Sequence, residues 1–281
     1  MQSLWMVVAG FLFSGMGVCV KLSAVEGYSL AEIVFYRSVV MFSIMLALVR
    51  WRNVRLATPH WLWQVKRAVT GFCSLSVFFY AISLLPLATA VTLNYTSPVF
   101  LVLMLAFFRG LKFNRGIMLA LGLGFLGVVF LMQPSFEGQS LFGVSVALTS
   151  AVLTAMVYFD VSALGRLGEP VSRTVFYFSG ISTLLSLAWI AFSRLNPITL
   201  QGFLMLAGTG IFATLGQLAM TRAYSRGKVL LTASLTYTAV IFAVLFGIIL
   251  WSEHLGWMEC LGVALVIVSG VSANYFLPKT K

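Results

Sequence analysis

The 281 residues carry 60% hydrophobic side chains against 9% charged ones, with a mean hydropathy of +1.02. So little polar surface cannot solvate a globule of this size, which excludes a water-soluble fold and leaves a polytopic membrane protein. The formal net charge of +11 does not mark a nucleic-acid binder, because the basic residues fall in short connections between apolar stretches and not on one face or in a tail.

Taking about 20 apolar residues as the length that crosses a bilayer, the sequence predicts helices over 3–22, 30–49, 67–85, 88–108 and 115–133. A second set follows over 141–164, 172–192, 200–221, 229–251 and 257–277. The first begins almost at Met1 with neither a basic leader nor a cleavage signal, so it reads as a retained helix and not a signal peptide. Turn signals separate the spans, among them Glu26–Gly27, Thr58–Pro59, Pro86, Asn196–Pro197 and Gly227. Cys19, Cys73 and Cys260 lie in separate apolar segments without ligand-like spacing, so neither a disulfide framework nor a metal site is expected.

The two sets correspond. Ala81, Ser83, Leu93, Tyr95, Thr96, Phe100, Val102 and Leu103 recur 142 positions later as Ala223, Ser225, Leu235, Tyr237, Thr238, Phe242, Val244 and Leu245. Because five spans is an odd number, a second copy enters the membrane from the opposite side, which is the inverted-repeat plan of a secondary transporter. The expected fold is an all-α integral membrane protein of ten transmembrane helices in two inverted five-helix repeats, residues 1–137 and 138–281. With the N terminus in the cytoplasm, every one of the 18 Lys and Arg residues except Lys21, Arg37 and Arg194 falls on the inner side. The positive-inside rule therefore puts both termini in the cytoplasm. In this reading Lys66 and Arg67 belong to the first inner loop, and Arg109, Lys112 and Arg115 to the second.

Several segments carry a resemblance. They are Ser29-Leu-Ala-Glu-Ile-Val-Phe-Tyr-Arg37, Phe79-Tyr-Ala81 followed by Leu84-Leu-Pro-Leu-Ala88, Tyr95-Thr-Ser-Pro98, Ala219-Met-Thr-Arg-Ala-Tyr224, and Tyr237-Thr238 followed by Trp251-Ser-Glu253. In this order and spacing the chain resembles the ten-helix EamA-type branch of the drug/metabolite transporter superfamily. The resemblance implies a bacterial-type inner membrane and a central cavity between the repeats, lined mainly by helices 1, 3, 4, 6, 8 and 9. It also implies that helices 5 and 10 are peripheral, often at a homodimer contact.

Ionisable groups at membrane depth are costly unless paired or hydrated. Arg37 is read either as an anion-binding group or as a structural arginine. Glu32, five positions earlier and so on another face of the helix, cannot pair with it, which implies a partner from another helix. Asp160 is the best acid for proton coupling, with an interfacial aspartate as the alternative. Glu253 with His254 reads as an outer proton relay or a helix-end contact. Neutral groups orient a substrate without a charge penalty. Asn94 and Tyr95, with Thr236 and Tyr237 at the matching positions, are therefore candidates for the cavity wall, joined by Tyr80, Gln217 and Tyr224. Pro98 loosens the fourth span around Asn94 and Tyr95. Gly10, Ser14, Gly15 and Gly17 allow close approach or a hinge, centred on Gly15, in the first. The glycines of the fifth, Gly116, Gly122, Gly124 and Gly127, read as close packing at a dimer face.

The function expected is alternating access, moving a small polar metabolite, an amino acid or related compound, across the inner membrane with proton exchange as a possible drive. The alternatives are a lipid-head-group flippase and a transporter of cofactors or cationic drugs. An intramembrane enzyme is not supported, since His60 and His254 stand far apart with no acidic or cysteine cluster beside them. No catalytic residue, metal or cofactor is expected.

Overall fold

Ser29 and Glu32 start a helix by a capping box: the Glu32 N–H donates to Ser29 Oγ and the Ser29 N–H to Glu32 Oε2, so two otherwise orphaned donors are satisfied. The computed structural model describes residues 1–110, 115–134, 140–191, 193, 195–252 and 256–276, with only the backbone at 274 and 276. Among these residues the structure is helical, without strands. A short turn over Gln2–Leu4 precedes α1 (Trp5–Val25), then come α2 (Leu30–Trp51), α3 (Trp61–Leu84), α4 (Leu87–Asn94), α5 (Ser97–Arg109) and α6 (Arg115–Met132). The second half holds α7 (Leu141–Arg166), α8 (Val171–Ile190), α9 (Leu200–Arg226), α10 (Val229–Leu235), α11 (Thr238–Trp251) and α12 (Trp257–Phe276).

Eight helical stretches among the described residues are long and apolar enough to cross a membrane, with α4–α5 and α10–α11 each counting as one, and α12 supplies a shorter apolar stretch. Helix α8 is less apolar because Arg173 and the buried Ser179, Ser182 and Ser186 lower its hydropathy. Large apolar side chains such as Phe107, Leu184, Ile249 and Val271 cover the outside, as a lipid-facing surface requires. Inside, α6 packs along α12, α1 along α9, α3 along α7 and α2 along α8.

Three expectations change. Helix α3 starts at Trp61, not near 67, so Lys66 and Arg67 are helical residues and not part of a loop. Aromatic rings compensate them: Lys66 Nζ lies 5.0 Å from the Trp63 ring centre and the Arg67 guanidinium 4.1 Å from that of Phe178. The glycines of α6 do not all serve a dimer face. A side chain at Gly127 would meet the Gly262 carbonyl at 2.8 Å, and one at Gly124 would meet Ser269 Oγ at 2.6 Å, so these two make room for α12 of the same chain. Gly122 meets nothing within 4 Å. Finally, the matching span of the second half is broken as well, without a proline. Thr96 Oγ1 donates to the Leu93 carbonyl at 2.6 Å beside the α4–α5 break, and 142 residues later Thr238 Oγ1 donates to the Leu235 carbonyl at 2.7 Å beside the break of α10 from α11, where Val240 stands in place of proline.

Candidate functional site

The α4–α5 break leaves Asn94 and Tyr95 at the mouth of a buried space. Two cavities meet at Phe13, Phe78 and Asn94. The larger, of about 520 Å³, runs inward from Lys21, Leu87 and Trp251, near the ends of α1, α4 and α11, to Asn94 and Tyr95. The smaller, of about 180 Å³, continues past Asn94 between Arg37 of α2, Arg67 and Ser74 of α3, Thr154 and Tyr158 of α7, Phe178 of α8 and Gln217 of α9. Neutral polar groups along it are paired: Asn94 Nδ2 donates to Ser150 Oγ at 2.9 Å, and the Ser74 and Thr154 hydroxyls lie 2.8 Å apart.

Both guanidinium groups are buried, with Arg37 5% and Arg67 1% exposed. Arg67 Nη2 donates to Gln217 Oε1 at 2.9 Å, while its Nε and Nη1, and Nε of Arg37, find no acceptor. The partner on another helix expected for Arg37 is absent from the described residues. Glu32 instead takes the N–H and the side-chain amide of Asn196, at 2.6 and 3.1 Å, and holds the start of α2 to the connection before α9.

Beyond the smaller cavity the space is closed. The Tyr158 ring stacks on Tyr224 at 4.4 Å between centres and 14° between planes, and Tyr224 Oη bonds Thr236 Oγ1 at 3.0 Å. Below them Lys66 Nζ donates to Asp160 Oδ1 at 2.8 Å, and Asp160 Oδ2 has no partner. Arg109 lies over Phe159, 4.3 Å from its ring centre, and donates to Ser162 Oγ at 3.0 Å.

The predicted wall therefore divides. Asn94, Tyr95 and Gln217 line the cavities. Tyr224, stacked on Tyr158, and Thr236, bonded to Tyr224, belong to the closed floor and not to the wall. Tyr237 is fully buried behind Tyr95, at 6.2 Å between ring centres, in the room that Gly124 leaves. Tyr80 lines neither cavity: it is 52% exposed on the outside of α3, edge-on to Phe142. Pro98 is buried near the start of α5, and a side chain at Gly15 would press on Phe212 at 3.0 Å, which places Gly15 in the α1–α9 contact. Glu253 and His254 lie outside the described residues. Arg67, Ser74, Thr154 and Phe178 escape the sequence reading. The signal for Arg67 is the pair Trp61 and Trp63, interfacial aromatics that mark where the span begins.

The sequence profile of the EamA-like transporter family matches twice, over residues 1–133 and 141–274. The chain is 31% identical to the pseudopaline exporter CntI of Pseudomonas aeruginosa over 269 residues, covering 95% of this chain and 94% of that one. It is 28% identical to an uncharacterized transporter of Helicobacter pylori, covering 94% and 91%, and 24% identical to a riboflavin transporter of Brucella anthropi, covering 84% of each. A solved crystal structure superposes with a TM-score of 0.85 over 98% of this chain and 97% of the other, at 20% identity, and so shares the fold. A helical bundle that walls a buried polar cavity, matched by one family's profile over nearly its full length, is a multi-pass membrane transporter, and the chain belongs to the EamA-like transporter family.

Proposed function

We propose that the protein is a secondary transporter that moves a small polar metabolite, an amino acid or a related compound, across a bacterial inner membrane by alternating access. In this reading ten helices cross the membrane as two inverted halves, both termini face the cytoplasm, and the substrate sits where the two cavities meet. The observation that carries it is the cavity itself: a space reaching from one end of the bundle to the middle of the long helices, lined by Asn94, Ser74, Thr154 and Gln217 among aromatic rings. Such a wall orients a polar molecule that apolar helix surfaces would repel. The inner membrane is supported by bacterial relatives named as transporters.

The test is efflux from liposomes containing the purified protein and loaded with labelled amino acids, with and without a proton gradient. Asn94→Ala removes the amide shared by both cavities and its bond to Ser150, and is expected to slow efflux at least about tenfold, the loss of one positioned hydrogen bond. Unchanged efflux from N94A would remove Asn94 from the site and leave transport standing. No protein-dependent efflux of any amino acid would overturn the substrate reading.

A further inference from the structure

A guanidinium held inside a membrane span costs several kcal/mol unless a countercharge meets it, and two of them face this cavity without one. Among the described residues neither Arg37 nor Arg67 makes an ion pair, and no Asp or Glu lines either cavity. The nearest acid, Asp160, bonds Lys66 and feels Arg67 only through its field. Arg37, Arg67 and Lys66 against Asp160 leave two positive charges in excess. The protein has nevertheless oriented Arg67. Gln217 anchors one nitrogen of Arg67, Phe178 covers one face of its guanidinium, and three N–H-bearing nitrogens of the pair remain unpartnered.

We infer that Arg37 and Arg67 together hold an oxyanion of the transported molecule, so that the substrate is a metabolite bearing a carboxylate or a phosphate, its charged end in the smaller cavity and its body in the larger. The inference rests on the transport reading above and names the chemistry of the same site. Arginine forks match the two oxygens of a carboxylate or phosphate. A cavity of about 180 Å³ takes such an end group, and the 520 Å³ space beside it, walled by Phe13, Phe78 and Tyr95, takes the rest. A cationic substrate would instead meet two like charges at close range, which sets the cationic-drug alternative aside. Two unneutralised cations also give the substrate an effect on the protein. Its arrival relieves their mutual repulsion, and it biases the cycle through whatever difference in affinity the two access states have for it.

The experiment uses the full chain in liposomes loaded with isotopically labelled probes of matched chemistry. They are L-phenylalanine and L-glutamate beside their carboxamides, succinate, glycerol 3-phosphate, inorganic phosphate, putrescine and choline. Protein-dependent efflux confined to probes with an oxyanion is expected, and the carboxylate and phosphate arms tell the two sources apart. The rate should fall at least about 100-fold in Arg37→Met and Arg67→Met, with partial recovery in Arg37→Lys, which keeps the charge and loses the fork. Carboxamides, putrescine or choline leaving as fast as the carboxylates would overturn the inference while transport stands. Efflux of no probe would overturn the transport reading and the inference with it. Thermal unfolding without ligand separates a ligand-binding arginine from a structural one. Removing an uncompensated buried charge should leave R37M at least as stable as the wild type, whereas a melting point lowered by several degrees would make Arg37 structural and overturn its assignment.

Discussion

Asp160 has no exposed side-chain surface, and only one of its oxygens is bonded. Lys66 neutralises it from a half-exposed position, with the fields of Arg67 and Arg109 adding to the same effect. Among the described residues this is the acid that bonds Lys66 and feels the field of Arg67, and in the proposed cycle it is the group that carries the proton. Protonating Asp160 would release Lys66 and strengthen the positive field at Arg67; deprotonation restores the pair. In Asp160→Asn that exchange is lost. Efflux from D160N is expected to become insensitive to an imposed proton gradient, with stability reduced by about 1–3 kcal/mol, less than for a fully buried pair because Lys66 is partly solvated. Gradient-dependent efflux from D160N would show that another group carries the coupling. The sequence singles out Asp160 and Arg37 because a charge inside an apolar span is conspicuous. It hides Arg67, because a charge at the start of a span looks like the end of a loop unless Trp61 and Trp63 are read as the interface, and the contact with Phe178 of α8 then shows its depth.

The two broken spans show how far hydropathy carries at the level of elements. Span positions follow from apolar length, and most observed helix ends lie within a few residues of those expected, the exceptions being the start of α3 and the end of α9, which runs on through Arg222 to Arg226. The break in the fourth span is signalled by Pro98, which cannot donate to the Asn94 carbonyl. The break between α10 and α11 has no such signal: Val240 stands where a proline would mark it, and Thr238, which bonds back to the Leu235 carbonyl, looks like any other threonine. Ser14 of α1 then reaches the freed region of α11, donating to the Ala239 carbonyl at 2.8 Å. A consequence follows for substitution. Pro98→Ala alone should leave the α4–α5 break in place and change efflux little, since the matching break between α10 and α11 forms without a proline. Thr238→Val, with no proline to assist it, should cost about 1 kcal/mol of stability and slow efflux, read by thermal unfolding and by the liposome assay. A P98A protein as impaired as T238V would return the cause of the break to proline. Tyr237 illustrates the other limit. Its match to Tyr95 is visible in the sequence, but its burial depends on Gly124 of α6, a contact between segments far apart in the chain.

At the scale of the whole molecule the two ends differ. The end rich in Lys and Arg is tied across the bundle: the Lys228 N–H donates to Ser3 Oγ at 2.9 Å and Arg222 Nε to Gln2 Oε1 at 2.9 Å. Glu169, between α7 and α8, takes bonds from Thr58, Gln64 and Arg173. Burial pushes the Glu169 carboxyl up, but those bonds and the Arg173 charge outweigh it and hold the group below its ordinary value, so the tie stays ionised at neutral pH. At the opposite end the hydrogen bonds through Glu32 and Tyr28 join α2 to the connection before α9, while the larger cavity opens between α1, α4 and α11. In the proposed cycle this is the state open at one end and closed at the other, where Tyr158 stacks on Tyr224. If the basic end is cytoplasmic, the open end faces outward, and Gly17 reports on it. Gly17 lines the larger cavity, and nothing lies within 4 Å of where its side chain would begin, so a cysteine fits there without strain. With Cys19, Cys73 and Cys260 replaced by serine, Gly17→Cys in sealed inside-out and right-side-out vesicles should react with a membrane-impermeant maleimide only from the outer face. Reaction only from the cytoplasmic face would reverse the orientation derived from the basic loops, and equal reaction from both faces would mean that the tyrosine floor does not seal the path.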